Sequence, residues 1–196
     1  MSAAMWKEWI REVAPLFEAR MAGGLYVFSI LTALFLELFL GGRLGTAANF
    51  IQMAGMLAVT LLLYGIFKPV SGSISLFAAS FNLVGIALEA LRLNPQGANY
   101  AMVFHGIHCL LIGYLVFRSN FLPRILGALI AVGGLGWLSF VSHPIASYLS
   151  PYNLACGLFG EASLFLWIVV MGVNVQRWKE QATAAQGVPP QMKAAI

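Results

Sequence analysis

The sequence predicts an all-α integral membrane protein, a bundle of six antiparallel transmembrane helices, and three observations support this fold class. First, 60% of the 196 residues are hydrophobic and only 9% are charged, whereas soluble domains carry about 25% charged residues. Second, the mean hydropathy is +0.84. Third, the apolar residues fall into segments near the ~20 residues that span a bilayer core. Six such segments leave no room for a second domain.

The N-terminal segment, residues 1–20, is predicted to be an amphipathic helix at the membrane interface. Its apolar residues recur at helical spacing, and they are Trp6, Trp9, Ile10, Val13 and Phe17. Pro15 lacks the N–H that a helix interior needs, so we expect an interruption there. The segment does not have the ordered regions of a cleavable signal peptide.

The transmembrane domain is expected over residues 21–175, with six apolar spans. These spans are 22–41, 50–67, 72–93, 98–117, 122–141 and 153–173. The breaks between them are short and rich in turn-forming residues, so consecutive helices must be antiparallel neighbours. Residues 176–196 are predicted to be a cytoplasmic polar tail, which has little to bury and is expected to fold only against something else.

The distribution of Lys and Arg predicts the orientation. Nine basic residues fall on one side of the predicted spans, namely Lys7, Arg11, Arg20, Lys68, Arg118, Arg124, Arg177, Lys179 and Lys193. The other side has only Arg43 and Arg92. Basic loops are retained in the cytoplasm, so both termini are expected there. Because these residues flank apolar segments and form no patch with interleaved aromatics, nucleic-acid binding is not expected.

Small residues on two of the spans predict close helix contacts. Gly127, Ala131 and Gly134 share a face on the fifth span, and Gly106 and Gly113 share one on the fourth. Backbones approach each other in lipid where side chains are small.

Ionisable residues inside the spans predict a polar layer within the membrane. Glu37, Glu89 and Glu161 lie in apolar segments, where a charge at the bilayer centre would cost at least ~2.5 kcal/mol. His105 and His108 lie two to three turns into the fourth span. On the predicted orientation all five fall in the outer half of the membrane, so we expect them to meet at a cavity opening toward the outer leaflet.

Other polar residues are expected to bind a ligand in this cavity, either because they share helix faces with the ionisable groups or because they open spans on the same side. They are Tyr26, Asn82, Gln52, Asn153 and Arg92. Helical spacing places Tyr26 on the stripe that ends at Glu37, and places Asn82 seven residues before Glu89. Arg92 could instead form an ion pair with Glu89, and His143, which precedes Pro144, is expected to be a surface histidine.

These residue types suit proton transfer on a lipophilic molecule. A carboxyl group held away from water is disfavoured in its charged form and can act as an acid near neutral pH. Glu161, flanked by Gly157 and Gly160, is the expected acid, and His108 is the expected base or relay. The residues expected to orient or tune this pair are His105, Glu37 and Glu89. Alkene isomerisation, epoxide opening and cyclisation fit such a site, which favours an isomerase-like or cyclase-like enzyme.

Two other function classes stay open. Glu and His chains also serve proton-coupled transporters of small solutes, although a transporter would need polar groups in both halves of the membrane. The protein could also be a non-catalytic subunit that binds lipid or a protein partner through its interfacial helix. In that case His105 and His108 would only link helices.

No cofactor and no metal are predicted. Asp is absent from the sequence, so the carboxylates that hold Mg²⁺ in membrane diphosphate-binding transferases are missing. Cys109 and Cys156 lack the spacing of a structural zinc site and are expected to be buried thiols. His105 and His108 at i, i+3 with a carboxylate from another helix could bind zinc or iron, but no HExxH or ExxH pattern is present.

Four runs of sequence carry a family resemblance. They are GGLYVFSILTALFLELF, LLLYGIFKPV, FHGIHCLLIGYLVFRSNFLPRILGALIAVGGLGWL and GEASLFLWIVVMGVNVQRW. Over about residues 20–178 the chain resembles a bacterial family of six-helix membrane proteins known as domain of unknown function 4386. The resemblance implies a multi-pass protein of the inner membrane, with His108 and Glu161 standing where that family carries His and Glu. The partners expected are membrane lipids and a lipophilic small molecule, and a homo-oligomer is compatible with the sequence.

Overall fold

The protein is an all-helical membrane bundle, described by a computed structural model. The structure describes the backbone of residues 3–39, 43–93 and 98–185, and the side chains of residues 14–32, 49–93 and 98–185. Its helices are α1 (Ala3–Phe39), α2 (Arg43–Phe67), α3 (Gly72–Ala90), α4 (Tyr100–Arg118), α5 (Arg124–Leu138), α6 (His143–Leu149), α7 (Tyr152–Val170) and α8 (Val175–Ala185). A 3₁₀ turn over Ser139–Val141 leads from α5 toward α6.

Five of these helices are long and apolar enough to cross a bilayer. Within the described residues they run over Asn49–Phe67, Gly72–Ala90, Tyr100–Arg118, Arg124–Val141 and Tyr152–Val170. They match the second to sixth predicted spans and confirm the fold class. The first predicted span, 22–41, falls on the second half of α1, and its side chains beyond residue 32 lie outside the described residues.

The long helices pack in chain order around a closed ring. α1 packs on α2, α2 on α3, α3 on α4, α4 on α5, α5 on α7, and α7 returns to α1. Short loops place consecutive helices side by side, and the α7–α1 contact closes the ring. Every long helix therefore presents one side to a common interior.

The helix ends follow from local sequence. The Ser71 side chain accepts from the Ile74 N–H at 3.5 Å at the start of α3, and Asn99 accepts from the Met102 N–H at 3.2 Å at the start of α4. Such side chains satisfy backbone donors that the first turn leaves free. Beyond α7, Gly172 has φ +70°, a left-handed conformation that lets the chain turn toward α8.

One expectation about the chain ends is corrected, and the tail is partly described. α1 continues through Pro15 without a break, so the predicted interruption does not occur. Residues 175–185 of the tail region form α8, and the Trp178 indole donates to the Ile66 carbonyl oxygen at 2.9 Å. The tail beyond residue 185 lies outside the described residues.

The predicted close contacts of small residues are confirmed between α4 and α5. A Cβ on Gly127 would lie 2.7 Å from the Gly113 carbonyl oxygen, and one on Gly134 would lie 2.8 Å from that of Gly106. The two backbones therefore touch along these glycines. This brings the α4 histidines close to the residues of α5.

Candidate functional site

Glu161 of α7 is the centre of a buried polar cluster in the ring interior. Only 2% of the residue is exposed. Its Oε2 accepts from the Tyr26 hydroxyl of α1, and its Oε1 accepts from the Trp137 indole of α5. His105 Nε2 lies 2.9 Å from Oε1, and Cys109 Sγ lies 3.5 Å from the same oxygen. Donors from three other helices thus stabilise a carboxyl group that would be costly to bury alone.

A small residue on α7 makes room for one of these donors. Gly157 lies one turn before Glu161, and a Cβ there would overlap the Trp137 ring. The absence of a side chain lets the indole lie flat on α7 and reach the carboxylate. The Tyr26 ring is stacked on Phe165, with ring centroids 3.7 Å apart. This contact fixes the phenol on the side of Glu161 opposite the indole.

The cluster continues through His105 into α3 and α2. His105 Nδ1 lies 2.8 Å from Asn82 Oδ1, and Asn82 Nδ2 donates to Thr60 Oγ1 at 2.6 Å. The Thr60 hydroxyl in turn donates to the Met56 carbonyl oxygen at 2.7 Å. Asn82 is 2% exposed and Thr60 is 1% exposed. All six long helices therefore contribute a side chain to one hydrogen-bonded network.

The direction of these hydrogen bonds sets the protonation of His105. Thr60 has one hydroxyl proton, which goes to Met56, so its oxygen must accept from the Asn82 amide. Asn82 then presents its carbonyl oxygen to His105, and that oxygen can only accept. His105 Nδ1 therefore carries a proton. A second proton is shared between His105 Nε2 and Glu161 Oε1, and it lies on one or the other of these two atoms.

A cavity of about 170 Å³ lies against the cluster. Its floor includes the side chains of Tyr26, Asn82, His105, Trp137 and Glu161. Its walls are mainly apolar, formed by Ile30, Met53, Met56, Ile86, Met102 and Leu158, with Asn49, Gln52 and Glu89 also lining it. A cavity of about 150 Å³ holds a benzene ring, so this one accepts a group of that size.

The structure brings most of the predicted site residues together. Tyr26, Asn82, Gln52 and Glu89 line the cavity along with His105 and Glu161. Glu89 is an exposed residue. Among the described ion pairs none joins Glu89 to Arg92. Arg92 lies just beyond α3, where its backbone has φ 52°.

Three predicted residues are placed differently, and a fourth is not described. The partner of Glu161 is His105, whereas His108 Nδ1 donates to the Ala78 carbonyl oxygen at 2.8 Å. Asn153 donates to Ser139 Oγ at 2.9 Å and, like Arg92, does not line the cavity described above. The Glu37 side chain lies outside the described residues.

Three members of the network were not predicted from sequence. Trp137 and Cys109 count as apolar residues in a hydropathy analysis, and Thr60 is unremarkable in an apolar helix. A signal for Cys109 did exist, because His105 and Cys109 are four residues apart and therefore share a helix face. Their ligand atoms and a Glu161 oxygen all lie within 4.8 Å of one another, which makes this trio able to hold a metal ion.

The fold and the site together define a class, multi-pass membrane proteins with a buried carboxylate network beneath a small apolar cavity. The family described as "Domain of unknown function (DUF4386)" matches residues 86–172. An uncharacterized protein of Archaeoglobus fulgidus is 31% identical over 125 residues, which cover 58% of this chain and 75% of that relative. The chain belongs to the DUF4386 family. No solved structure matches it.

The family match covers only part of the network. His105, Cys109, Trp137 and Glu161 lie inside the matched residues, whereas Tyr26, Thr60 and Asn82 precede them. The relative comes from an archaeon, and the bacterial origin stays a prediction.

Proposed function

We propose that this protein is a membrane-embedded enzyme that catalyses proton transfer on a lipophilic small molecule, with Glu161 as the acid and His105 as its proton partner. The observation that carries the proposal is the position of the Glu161–His105 pair, which is buried in the ring interior and lines an apolar cavity. Alkene isomerisation, epoxide opening and cyclisation are the reactions that this pair suits best.

The hydrogen bonds of the pair support this role. Glu161 donates the shared proton to the substrate, and its carboxylate is then stabilised by the Tyr26 hydroxyl and the Trp137 indole. In an isomerisation or cyclisation the same carboxylate takes a proton from a neighbouring carbon and is restored. Fixed donors that favour the charged form without reorganisation are a general source of catalysis. His105 is held by Asn82 and can supply or accept the proton between turnovers.

The cavity supports a lipophilic substrate of elongated shape. About 170 Å³ accommodates the reacting group, and the rest of the molecule would extend through the opening. The mouth lies at the end of the bundle where α3 ends and α4 begins, opposite the loops that carry Lys68, Arg118 and Arg124. If those basic loops face the cytoplasm, the substrate enters from the outer leaflet, and the protein lies in the cytoplasmic membrane with both termini inside.

The apolar layer on the other side of the network favours an enzyme over a transporter. In the described part of the chain this layer consists of tightly packed side chains, each at most 1% exposed, namely Leu63, Ile66, Phe67, Ile112, Leu115, Val116, Leu164 and Ile168. A transported solute would have to cross it. A substrate that enters and leaves by the same mouth would not.

Solvent deuterium provides the test. Full-length protein in liposomes is incubated in D₂O with a total lipid extract, and lipophilic species are analysed by mass spectrometry for carbon-bound deuterium or for a new product. We expect labelling by the wild type and a loss of at least ~100-fold in Glu161→Gln, the size typical of a missing acid or base. The glutamine keeps the volume, its carbonyl oxygen can still accept from the Trp137 indole, and its amide N–H can donate to the Tyr26 hydroxyl oxygen, so the fold should persist.

Glu180→Gln is the matched control, because Glu180 is exposed on α8 and does not line the cavity. It should retain labelling within a few-fold of the wild type. Undiminished labelling by Glu161→Gln, or no labelling by the wild type above protein-free liposomes, would overturn the proposed function.

A further inference from the structure

Three potential metal ligands converge next to the cavity, where His105 and Glu161 line it and Cys109 lies buried behind them. His105 Nε2 lies 2.9 Å from Glu161 Oε1 and 3.7 Å from Cys109 Sγ, and the sulfur lies 3.5 Å from the same carboxylate oxygen. The three atoms come from two helices, α4 and α7. His105 and Cys109 are adjacent on one face of α4, so their separation is set by the helix itself.

These separations match the edges of a tetrahedral coordination site. Zinc binds nitrogen, oxygen and sulfur at roughly 2.0 to 2.3 Å in tetrahedral geometry, so its ligand atoms lie about 3.3 to 3.8 Å apart. The two distances that involve Cys109 fall in this range. The nitrogen–oxygen distance is shorter, because those two atoms share a proton, and it needs to lengthen by about 0.4 Å for a zinc ion to replace that proton.

The surrounding hydrogen bonds already orient the ligands. His105 Nδ1 is committed to Asn82 Oδ1, which leaves Nε2 as the nitrogen available to a metal. Glu161 Oε2 is held by Tyr26, which fixes the carboxylate plane. Such outer hydrogen bonds select the histidine tautomer and the carboxylate orientation in metal sites.

We propose that His105 Nε2, Cys109 Sγ and Glu161 Oε1 form a three-ligand site for a zinc-like divalent cation, with the fourth position open to the cavity. Three protein ligands with one open position are the arrangement of catalytic zinc sites, whereas structural sites are closed by four. A mixed nitrogen, sulfur and oxygen set suits zinc better than magnesium or calcium, which prefer oxygen. Metal binding at this site does not depend on the proposed function. Because the ion displaces the proton that Glu161 would donate, the metal-bound protein is a state that does not perform that proton transfer.

Charge and protons balance when the ion binds. The His105–Glu161 pair with its shared proton is neutral overall, and the Cys109 thiol is neutral. One divalent cation displaces the shared proton and the thiol proton, leaving a carboxylate, a thiolate and a neutral imidazole around it. Two protons leave, and the buried site stays neutral, which keeps the cost of burial low.

Metal content of the purified full-length protein tests the site. The protein is expressed with added zinc, extracted in mild detergent and analysed by inductively coupled plasma mass spectrometry. The protein stripped of metal is then titrated with Co²⁺, whose thiolate complex has a characteristic charge-transfer absorption. We expect about one ion per chain in the wild type and at least a ~10-fold weaker affinity in Cys109→Ala. Cys156→Ala is the matched control, because Cys156, contrary to the expectation of a buried thiol, is exposed and lies outside the site.

Size-exclusion profiles and thermal unfolding show whether Cys109→Ala is folded, and Cys109→Ser provides a second variant of nearly the same volume. The site would be overturned if the wild-type protein contained no metal after purification and showed no cobalt–thiolate absorption on titration. Equal cobalt affinity in Cys109→Ala and Cys156→Ala would do so too. The deuterium assay separates this result from the proposed function. If the wild-type protein labels its substrate without binding metal, the metal site is overturned and the proposed proton transfer is not. If Glu161→Gln labels the substrate fully, the proposed proton transfer is overturned, whatever the zinc content.

Discussion

Asn82 determines how His105 meets Glu161, although it contacts the carboxyl group only through that histidine. Its amide nitrogen is engaged by Thr60, so its carbonyl oxygen faces His105. A buried amide whose nitrogen donates to a fixed acceptor cannot rotate to offer that nitrogen to His105 without losing a hydrogen bond. Asn82 is therefore a positioning residue, and Thr60 is the residue that orients it.

Replacing Asn82 tests this positioning directly. Asn82→Leu removes the acceptor for the Nδ1 proton, so we expect a mixed tautomer population of His105 and a loss of ~10- to 100-fold in the deuterium assay. The chain has only three histidines, so ¹⁵N shifts of histidine-labelled protein in nanodiscs can be assigned with single variants. The wild type should show a protonated Nδ1 at His105.

Asn82→Asp is the informative control for that experiment. A carboxylate still accepts from Nδ1, so the Nδ1–H form should persist even though the donor to Thr60 is lost. If Asn82→Leu left the His105 nitrogen shifts unchanged, Asn82 would not set the tautomer. A uniform loss of folded protein in both variants would instead point to the cost of an unpaired buried group, about 1–3 kcal/mol.

At the scale of helices, the α4–α5 contact brings the parts of the site together. The backbones meet at two glycine pairs one after the other along the helices, Gly113 with Gly127 and Gly106 with Gly134. In the second pair, Gly106 directly follows His105, and Gly134 lies three residues before Trp137. Any separation of the two helices would pull the indole and the imidazole apart.

Gly127→Ala measures how tight this contact is. Its Cβ would lie 2.7 Å from the Gly113 carbonyl oxygen and 2.8 Å from the Phe117 nitrogen. Because both neighbours are backbone atoms, the helices must move apart, and we expect a destabilisation of about 1–3 kcal/mol. Unfolding in detergent as a function of added dodecyl sulfate provides the measurement.

Gly24→Ala provides the matched comparison, because nothing lies within 4 Å of a Cβ there. Both variants share the gain in helix propensity, so their difference isolates the packing cost. Equal stability of the two would mean that the α4–α5 distance is not limited by glycine.

Helix positions were predictable because the length of an apolar run is a direct physical requirement of the bilayer. The predicted spans 72–93 and 98–117 correspond to Gly72–Ala90 and Tyr100–Arg118. Pro15 misled the prediction, since a proline costs one hydrogen bond but a long helix can continue past it. α8 could not be foreseen from hydropathy, because hydrogen bonds of single side chains join it to the bundle, from Trp178 to Ile66 and from Arg177 to Asn120.

The site was predictable only in part. Glu161, His105 and Asn82 stand out because polar groups in an apolar span are costly and need partners. The choice between His105 and His108 could not be made, because residues three apart differ by only about 60° around a helix. Cys109 and Trp137 were missed because their polar atoms are small parts of apolar side chains.

At the scale of the whole molecule, the polar network and the basic loops mark opposite ends. The cavity mouth lies near Asn49 and Glu89, whereas Lys68 and Arg118 lie at the far ends of their helices. Lys68 Nζ lies 5.8 Å from the Tyr64 ring centre, and Arg118 Cζ lies 6.0 Å from that of Tyr114. Aromatic rings beside basic side chains are typical of a membrane interface. The predicted orientation therefore assigns the mouth to the extracytoplasmic side.

Cysteine labelling tests this orientation on the intact protein. In a Cys156→Ala background, which keeps the buried Cys109, a single new thiol is placed by Asn120→Cys in the α4–α5 loop or by Ser147→Cys in α6. Both positions are exposed, and they lie at opposite ends of α5. Since the basic loops are expected in the cytoplasm, a membrane-impermeant maleimide added to sealed right-side-out vesicles should label the position-147 thiol and spare the position-120 thiol. Inside-out vesicles should reverse the pattern. Labelling of the position-120 thiol in right-side-out vesicles would place the mouth in the cytoplasmic leaflet, and the substrate would then have to come from that side.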